Sequence, residues 1–189
     1  MTVVFLDRDG VINDNVANYY VKAWDEFTFL PGAKEAVSRL AEREDVRIFI
    51  VSNQAGVGKG AVSAERVDEI NRRMKGELEA AGGRVDGIFY CPHTPDDRCS
   101  CRKPEVGLLA RALRESGVKS ERLFMVGDAL SDIEAGKKAS AVAIMVRTGR
   151  GEAQLELLGP GVPKPDHVAE SISEAAEIIL RSIADRKAI

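Results

Sequence analysis

The chain alternates between short apolar runs and segments in which apolar residues recur at helical spacing, and this alternation constrains the fold more than any other feature. Short runs that are rich in β-branched residues and apolar throughout are typical of strands buried on both faces. Strands that alternate with helices usually form a parallel sheet covered by helices. We therefore predict an α/β fold with a mostly parallel sheet. The predicted strands are Val3–Leu6, Val46–Val51, Gly87–Tyr90, Leu123–Val126 and Ala141–Val146.

Helices are predicted between these strands, which makes the expected fold Rossmann-like with helices on both faces of the sheet. The predicted helices are one with apolar positions between Ala33 and Ala41, a long one from Ser63 to Gly82, one that begins at Pro104, a short one over Ile133–Ala139 and a last one from Ser171. Ser63 is a suitable N-cap, and Ser171 with Glu174 has the pattern of a capping box. Residues 147–165 are rich in glycine and proline and are predicted to be mostly loop, around a short helix near Leu155.

Residues with potential chemistry cluster where the predicted strands finish. They are Asp7 and Asp9 after the first strand, Ser52 and Asn53 after the second, Lys103 beyond the loop that follows the third, and Asp128 after the fourth. An isolated Asp-x-Asp is more often a polar turn than a site. In open parallel sheets, however, ligands bind at the carboxyl ends of the strands. Four polar clusters at such ends therefore predict a functional site.

Three carboxylates and a lysine at one edge of a sheet suit a divalent cation and an anionic substrate. Oxygen ligands favour Mg²⁺, and phosphate is the natural anion. Asp7 would attack the phosphorus atom, with the repulsion between anions offset by Mg²⁺ and Lys103. Asp9 would protonate the leaving alcohol and then deprotonate the attacking water. The supporting roles would fall to Asp128, which completes the metal site, and to Ser52 and Asn53, which hold phosphate oxygens.

Four stretches in order along the chain resemble the signature motifs of haloacid dehalogenase-like phosphatases. They are Asp7-Arg8-Asp9-Gly10, Ser52-Asn53-Gln54, Lys103, and Gly127-Asp128 with Asp132, and together they span most of the chain. The resemblance implies that Mg²⁺ is bound by Asp7, by the backbone carbonyl of Asp9 and by Asp128. It also implies that Ser52, Asn53, Arg102 and Lys103 contact the substrate. We expect Asp132 to orient the loop or cap a helix instead of binding the metal.

Within that superfamily, the chain is similar to D-glycero-D-manno-heptose 1,7-bisphosphate 7-phosphatases. The similar segments are 7–13, 53–57, 91–93, 99–104 and 146–149. This resemblance implies hydrolysis of the 7-phosphate through an aspartyl-phosphate intermediate. Histidinol-phosphate phosphatases share much of the pattern, and the five-residue spacing between His93 and Cys99 fits them as well. Ala129 departs from the basic residue often found there in both groups, so histidinol phosphate or another small sugar phosphate remains an alternative substrate.

Cys91, His93, Cys99 and Cys101 lie within one short segment that contains all three cysteines of the chain. Three thiolates and an imidazole fill a tetrahedral Zn²⁺ shell and leave no open position, so the predicted zinc site is structural. Free thiols or a redox switch are the alternatives, and neither uses His93. The chain has no stretch long enough for a large cap domain. The resemblance therefore suggests that this zinc-stabilised loop shapes the substrate entrance.

The bulk properties favour a small-molecule enzyme. A length of 189 residues suits a single domain over residues 1–189, and the net charge of −3 argues against nucleic acid or a membrane surface as the partner. No apolar run approaches the roughly 20 residues of a membrane-spanning helix, and no leader precedes the first strand, so we expect a cytoplasmic monomer that acts on a small phosphorylated metabolite. Tyr19, Tyr20 and Trp24 could line a substrate entrance, but we expect simple packing within a surface loop. A hypothesis of another class, a non-catalytic zinc-binding interaction module, is disfavoured by the acidic balance.

Overall fold

A six-stranded sheet forms the centre of the computed structural model, which describes residues 1–14 and 20–185. The strands are β1 (Thr2–Leu6), β2 (Val46–Asn53), β3 (Gly87–Cys91), β4 (Arg122–Gly127), β5 (Val142–Val146) and β6 (His167–Ala169). Their order across the sheet is β3-β2-β1-β4-β5-β6, and each of these neighbouring pairs is parallel. The predicted parallel α/β fold is therefore confirmed, and β1 lies between β2 and β4 near the middle.

Helices cover both faces of this sheet. They are α1 (Ala33–Ala41), α2 (Ala55–Gly58), α3 (Ala64–Ala80), α4 (Gly107–Ser116), α5 (Leu130–Lys138), α6 (Gly151–Leu155) and α7 (Ile172–Ala184). Short 3-10 turns occur at Trp24–Glu26 and Pro95–Asp97. On one face α1 packs against α3 and α7, and on the other face α4 and α5 lie against the strands. Among the described residues, no helix combines the length and the apolar character needed to cross a bilayer.

Alternate side chains of each central strand enter two separate cores. Val4 and Leu6 pack with the residues under α1, α3 and α7, whereas Val3 and Phe5 pack with those under α4. All four side chains are at most 1% exposed. Because both faces of β1 are buried, the strand is apolar throughout, which is the pattern that predicted it.

Several boundaries differ from the prediction. The helix expected from Pro104 begins at Gly107, because the residues before it form a turn in which the Glu105 N–H donates to the Arg102 carbonyl. The predicted helix over Ile133–Ala139 begins earlier, at Leu130. Two elements were not predicted: the short helix α2 in the glycine-rich segment after β2, and the edge strand β6, which is only three residues long.

The two predicted N-caps have different outcomes. Ser63 is confirmed as the N-cap of α3, since its hydroxyl accepts a hydrogen bond from the Arg66 N–H at 3.3 Å. Ser171 precedes α7, but its side chain makes no capping hydrogen bond, so the predicted capping box is wrong. In a capping box Glu174 would accept from the backbone N–H of Ser171. It accepts instead from the backbone N–H of Glu170, one residue earlier, at 2.7 Å.

Candidate active site

The predicted site residues meet at the edge of the sheet where the strands end, which we call the carboxyl edge. A cavity of about 370 Å³ opens there. Its lining includes the predicted residues Asp7, Asp9, Ser52, Asn53, Arg102 and Lys103, and it also includes Tyr20, Gln54, Lys59, Ser131, Asp132 and Arg150. Tyr20 thus lines the cavity, which is the alternative to the simple packing that we expected. Trp24 stacks on Phe27, as expected of a packed side chain, and Tyr19 lies outside the described residues.

The turn after β1 brings its carboxylates close to those of β4. The Asp7 N–H donates to the Val126 carbonyl at 2.9 Å and so extends the pairing of β1 with β4. Gly10 then turns the chain with a φ of +87°, and a Cβ there would lie 2.6 Å from the Asp128 carboxyl carbon. Only glycine combines this conformation with such a close approach. The glycine of the Asp-x-Asp-Gly sequence thus allows the first and fourth strand ends to meet.

Lys103 is buried at the base of the cavity and is 2% exposed. Its ammonium group lies 2.8 Å from Asp7 Oδ1 and 2.6 Å from Asp132 Oδ1, and it donates to the Val51 carbonyl at 2.7 Å. Burial opposes the charge, but the carboxylates of Asp132 and Asp7 outweigh burial and raise the pKa of Lys103 above its ordinary value. The lysine is therefore a fixed cation whose three donors already have partners.

Three buried carboxylates form a cluster around this lysine. Oxygens of Asp7, Asp128 and Asp132 all lie within 4.8 Å of one another. Burial raises the pKa of Asp7 to about 6 despite Lys103, with Asp132 and Asp9 adding to the rise. Burial also raises the pKa of Asp128, with Asp7 adding to the effect and Arg150 opposing it. Oxygen ligands that repel one another in this way suit a hard divalent cation such as Mg²⁺.

Asp132 also shapes the loop between β4 and α5. Its Oδ2 accepts a hydrogen bond from the Ala129 N–H at 3.1 Å, and its Oδ1 pairs with Lys103. Burial raises the pKa of Asp132 although Lys103 opposes the rise. Asp132 therefore orients the loop that carries Asp128, and it lies near enough to Asp7 and Asp128 to belong to the same acidic cluster.

The carboxylate of Asp9 is surrounded by hydrogen-bond donors. Arg8 Nη2 lies 3.0 Å from both Asp9 oxygens, Asn13 Nδ2 donates to Oδ1 at 3.1 Å, and Gln54 Nε2 donates to Oδ2 at 2.6 Å. The Ser52 hydroxyl is 3.5 Å from Oδ2. Burial alone would raise the pKa of Asp9, but the Arg8 guanidinium and these hydrogen bonds lower it below its ordinary value. Asp7 and Asp9 thus have opposite environments only two residues apart.

Asn53 and Arg102 border the cavity from the loops on either side of Lys103. The Asn53 amide donates to the Lys103 carbonyl at 2.9 Å and accepts from the Lys103 N–H at 3.0 Å. Arg102 Nη1 donates to the His93 carbonyl at 3.3 Å. Both residues therefore help to place the lysine loop, and their contacts with a substrate stay predictions.

Arg150 contributes a cation that the sequence analysis did not identify. Its backbone N–H donates to Asp128 Oδ2 at 2.9 Å, and its guanidinium lies 3.4 Å from the same carboxylate. The side chain is 54% exposed, so one side of the guanidinium remains open to the cavity. Nothing in the sequence around Gly149 and Arg150 relates them to Asp128, because the contact depends on how the loop after β5 folds back toward β4.

The predicted zinc ligands also converge, in the loop after β3. The Cys101 sulfur lies 3.2 Å from the Cys91 sulfur, 3.4 Å from the Cys99 sulfur and 3.3 Å from His93 Nδ1. These sulfur separations exceed the roughly 2.05 Å of a disulfide bond, and the cysteines are free. Four soft or borderline ligand atoms at such spacing fit a tetrahedral zinc shell. The cluster ends two residues before Lys103, so it adjoins the cavity.

Comparisons with known proteins relate this architecture to a single family. A family model described as HAD-hydrolase-like matches residues 100–175. A D-glycero-beta-D-manno-heptose-1,7-bisphosphate 7-phosphatase of Bordetella bronchiseptica is 36% identical over 181 residues, which cover 96% of this chain and 99% of that protein. A D-glycero-alpha-D-manno-heptose-1,7-bisphosphate 7-phosphatase of Mycobacterium bovis is 43% identical over 141 residues, which cover 74% of each.

A solved structure gives the same result at the level of the fold. The crystal structure of the D,D-heptose 1,7-bisphosphate phosphatase from B. bronchiseptica, complexed with magnesium and phosphate, superposes with a TM-score of 0.87 at 36% identity. The match covers 96% of this chain and 99% of that one. The similarity is therefore not confined to a motif, because it extends across the sheet, both layers of helices and the loops of the carboxyl edge.

Proposed function

We propose that this chain, which belongs to the haloacid dehalogenase-like phosphatases, removes the 7-phosphate of a D-glycero-D-manno-heptose 1,7-bisphosphate. The observation that carries the proposal is the position of Asp7. Its carboxylate lines the cavity, lies 2.8 Å from the Lys103 ammonium and belongs to the acidic cluster with Asp128 and Asp132. A nucleophilic carboxylate beside a fixed cation is the arrangement that attack on a phosphate ester requires.

Asp7 attacks the phosphorus atom in the first step. A bond forms between the Asp7 carboxylate oxygen and phosphorus, and the bond between phosphorus and the sugar oxygen breaks. Lys103 holds the attacking carboxylate in place and offsets the negative charge that gathers on the phosphoryl oxygens. Ser52 lines the same cavity and offers its hydroxyl to a phosphoryl oxygen. The product of this step is an aspartyl phosphate on Asp7 and a free sugar hydroxyl.

Asp9 moves the proton in both steps. The approach of an anionic phosphoryl group raises the pKa of a neighbouring carboxyl group, so Asp9 carries a proton in the substrate complex and gives it to the departing sugar oxygen. As a carboxylate it then takes a proton from the water that attacks the aspartyl phosphate. Inorganic phosphate leaves and Asp7 is regenerated. The donors around Asp9 support the second role, because they favour its carboxylate form.

We assign Mg²⁺ to Asp7, the backbone carbonyl of Asp9 and Asp128. The mutual repulsion of the buried acids supports this assignment. When bound, Mg²⁺ supplies positive charge that screens the phosphate from the nucleophile. We assign Zn²⁺ to Cys91, His93, Cys99 and Cys101, where it would hold the loop that leads to Arg102 and Lys103.

The cellular compartment in which the enzyme acts follows from its proposed substrate. A doubly phosphorylated sugar is too highly charged to cross a bilayer unaided. We therefore propose that the protein acts in the cytoplasm on this small metabolite. Two relatives carry names with opposite anomers, beta in B. bronchiseptica and alpha in M. bovis, so both anomers are candidate substrates.

Phosphate release tests the proposal directly. Purified protein is supplied with the alpha and beta anomers of heptose 1,7-bisphosphate, histidinol phosphate and an aryl phosphate, each with and without Mg²⁺. We expect magnesium-dependent release that is fastest from one heptose anomer, and no release by the Asp7→Asn variant. Full activity of that variant would refute Asp7 as the nucleophile, and a preference for histidinol phosphate would refute only the substrate.

Elemental analysis tests the zinc site separately. We expect about one equivalent of zinc per chain in protein purified without chelator, and much less in a Cys101→Ser variant, because four ligands are needed to fill the shell. Less than half an equivalent in the wild type would count against the assignment.

A further inference from the structure

Arg8 is a charged residue in an unusual position, since its side chain is 1% exposed. A buried guanidinium is stable only if its charge is paired and its donors are hydrogen-bonded. Arg8 meets both conditions. Its Nε and Nη2 face Asp9, and Nη1 points the other way and donates to Asn71 Oδ1 at 3.1 Å.

Asn71 belongs to α3, the long helix that packs beneath the sheet, and is 7% exposed. It lies 63 residues from Arg8 in the sequence. Its neighbours on the buried side of α3 are apolar, namely Val67, Ile70, Met74 and Leu78. An amide at a position where this helix otherwise buries apolar side chains is costly unless its polar atoms have partners. The hydrogen bond to Arg8 explains why it is tolerated.

The planar guanidinium links these two contacts rigidly. Asn71 holds one end of the plane through Nη1, and the opposite side presents Nε and Nη2 to the Asp9 carboxylate. A fork of this kind fixes the orientation of a carboxylate as well as its position. Asp9 is 19% exposed, and the part that remains open faces the cavity.

We infer that Arg8 and Asn71 are positioning residues that hold Asp9 for proton transfer to the departing sugar oxygen. The inference rests on the proposed role of Asp9. A general acid must lie within hydrogen-bonding reach of the atom that it protonates, and a small displacement greatly reduces its contribution. Asn71 acts through Arg8, so neither residue needs to touch the substrate.

The dependence of rate on the leaving group separates positioning from a merely structural role. A sugar alkoxide is a poor leaving group and needs a proton, whereas 4-nitrophenolate leaves readily without one. For Asn71→Leu, which keeps the volume but removes the acceptor, we expect kcat/KM for heptose 1,7-bisphosphate to fall about tenfold or more, because general acid catalysis contributes about 10²–10⁴-fold. We expect kcat/KM for 4-nitrophenyl phosphate to change less than about twofold, because this ratio reports only the step that releases the leaving group and not the later hydrolysis of the aspartyl phosphate.

Three further variants complete the experiment. Asn71→Asp retains the acceptor oxygen and should keep most of the activity on the sugar phosphate. Arg8→Lys keeps the charge but cannot bridge Asp9 and Asn71, so it should show the same selective loss as Asn71→Leu, and it decides the question if Asn71→Leu does not fold. Leu78→Ala, on the same helix, should lower the melting temperature without distinguishing the two esters.

Each outcome has a defined meaning. Equal loss of kcat/KM on both esters, or no loss on the sugar phosphate, overturns the positioning role while the phosphatase activity stands. Asp9→Asn measured in parallel should show the selective loss most strongly. If Asp9→Asn does not discriminate between the esters, the proposed role of Asp9 fails and the inference fails with it. If the wild type hydrolyses neither ester, the proposed function itself fails.

Discussion

Single residues in the cavity differ in pKa because their neighbours differ. Asp7 is surrounded by other acids and by Lys103, and burial raises its pKa to about 6. Asp9 is surrounded by Arg8, Asn13 and Gln54, which overcome burial and lower its pKa. In the metal-free protein these pKa shifts oppose the roles of the first step, because the nucleophile has the raised pKa and the proton donor the lowered one. A bound cation would lower the pKa of Asp7, and a bound phosphoryl group would raise that of Asp9.

The raised pKa of Asp7 predicts how stability depends on pH in magnesium-free protein. Unfolded aspartate has a pKa of 3.8 and folded Asp7 one of about 6, so between these values the folded state binds more protons and stability falls as pH rises. Asp7→Asn removes this penalty, and Lys103 keeps Asp132 as a partner. We expect the magnesium-free variant to melt about 2–8 °C above wild type at about pH 7.5, and the difference to shrink toward about pH 4.5.

The control for this measurement is Asp25→Asn, since Asp25 is exposed in the first 3-10 turn. Its melting temperature should match that of wild type at both pH values. A variant Asp7→Asn that is less stable than wild type in magnesium-free buffer at neutral pH would contradict the account of repulsion.

Arg150 and Arg147 form a matched pair for testing the cationic side of the cavity. Arg150 contacts Asp128 and lines the cavity, whereas Arg147 pairs with Glu152 and Glu170 on the surface. Without Arg150 the acidic cluster would repel an anionic substrate more strongly. We expect Arg150→Ala to raise KM for the sugar phosphate about tenfold, equivalent to about 1.4 kcal/mol. Arg147→Ala should leave KM within about twofold, and an equal rise in both variants would show that only net charge matters.

At the scale of elements, the loop between β5 and α6 binds the first and fourth strand ends together. The Thr148 hydroxyl donates to the Gly10 carbonyl at 2.6 Å, and the Arg150 N–H donates to Asp128. Between them, Gly149 has a φ of +60°, and a Cβ there would lie 2.5 Å from the Gly10 Cα and would also clash with the Asp128 carboxylate. The loop can therefore approach the site only with glycine at this position.

Gly149→Ala and Gly161→Ala separate backbone strain from the clash. Both glycines have positive φ, but a Cβ at Gly161 would meet nothing within 4 Å. Each substitution should cost about 1–2 kcal/mol of stability for the left-handed conformation. Only Gly149→Ala should also lower kcat/KM, by about tenfold or more, because it displaces Asp128. Activity assays with melting curves on both variants check this, and unchanged kcat/KM in Gly149→Ala would contradict it.

The sequence was sufficient for elements that carry their own local signal and insufficient for those that do not. The strand over Val46–Val51 is apolar apart from Arg47, and Ser63 caps α3 through a bond to a residue three positions away. Both can therefore be predicted from nearby residues. The strand β6 is three residues long and has two exposed side chains, so it shows no apolar run. It exists because β5 offers a free edge, which is a tertiary effect.

At the scale of the whole molecule, the site is a product of topology. Asp7, Ser52, Lys103 and Asp128 are distant in sequence and meet because parallel strands finish at one edge. The order of the strand ends could therefore be used to predict the cluster. The Arg8–Asn71 contact could not be predicted, because it depends on which side of α3 faces the turn after β1.

Because the acids converge at one edge, cation and phosphate should stabilise the folded molecule cooperatively. A ligand that binds only the folded state at 100 times its Kd adds about 2.7 kcal/mol, or about 5–11 °C for a chain of this size. We expect phosphate alone to give little shift, since the acids repel it, and Mg²⁺ with phosphate to give more than the sum of the two separate shifts. Asp128→Asn should abolish the excess, because it removes one of the three clustered carboxylates. Differential scanning fluorimetry over a grid of both ligands measures the coupling. An equal response to phosphate with and without Mg²⁺ would show that Mg²⁺ and phosphate do not share this site. An excess shift in Asp128→Asn as large as that of the wild type would show the same.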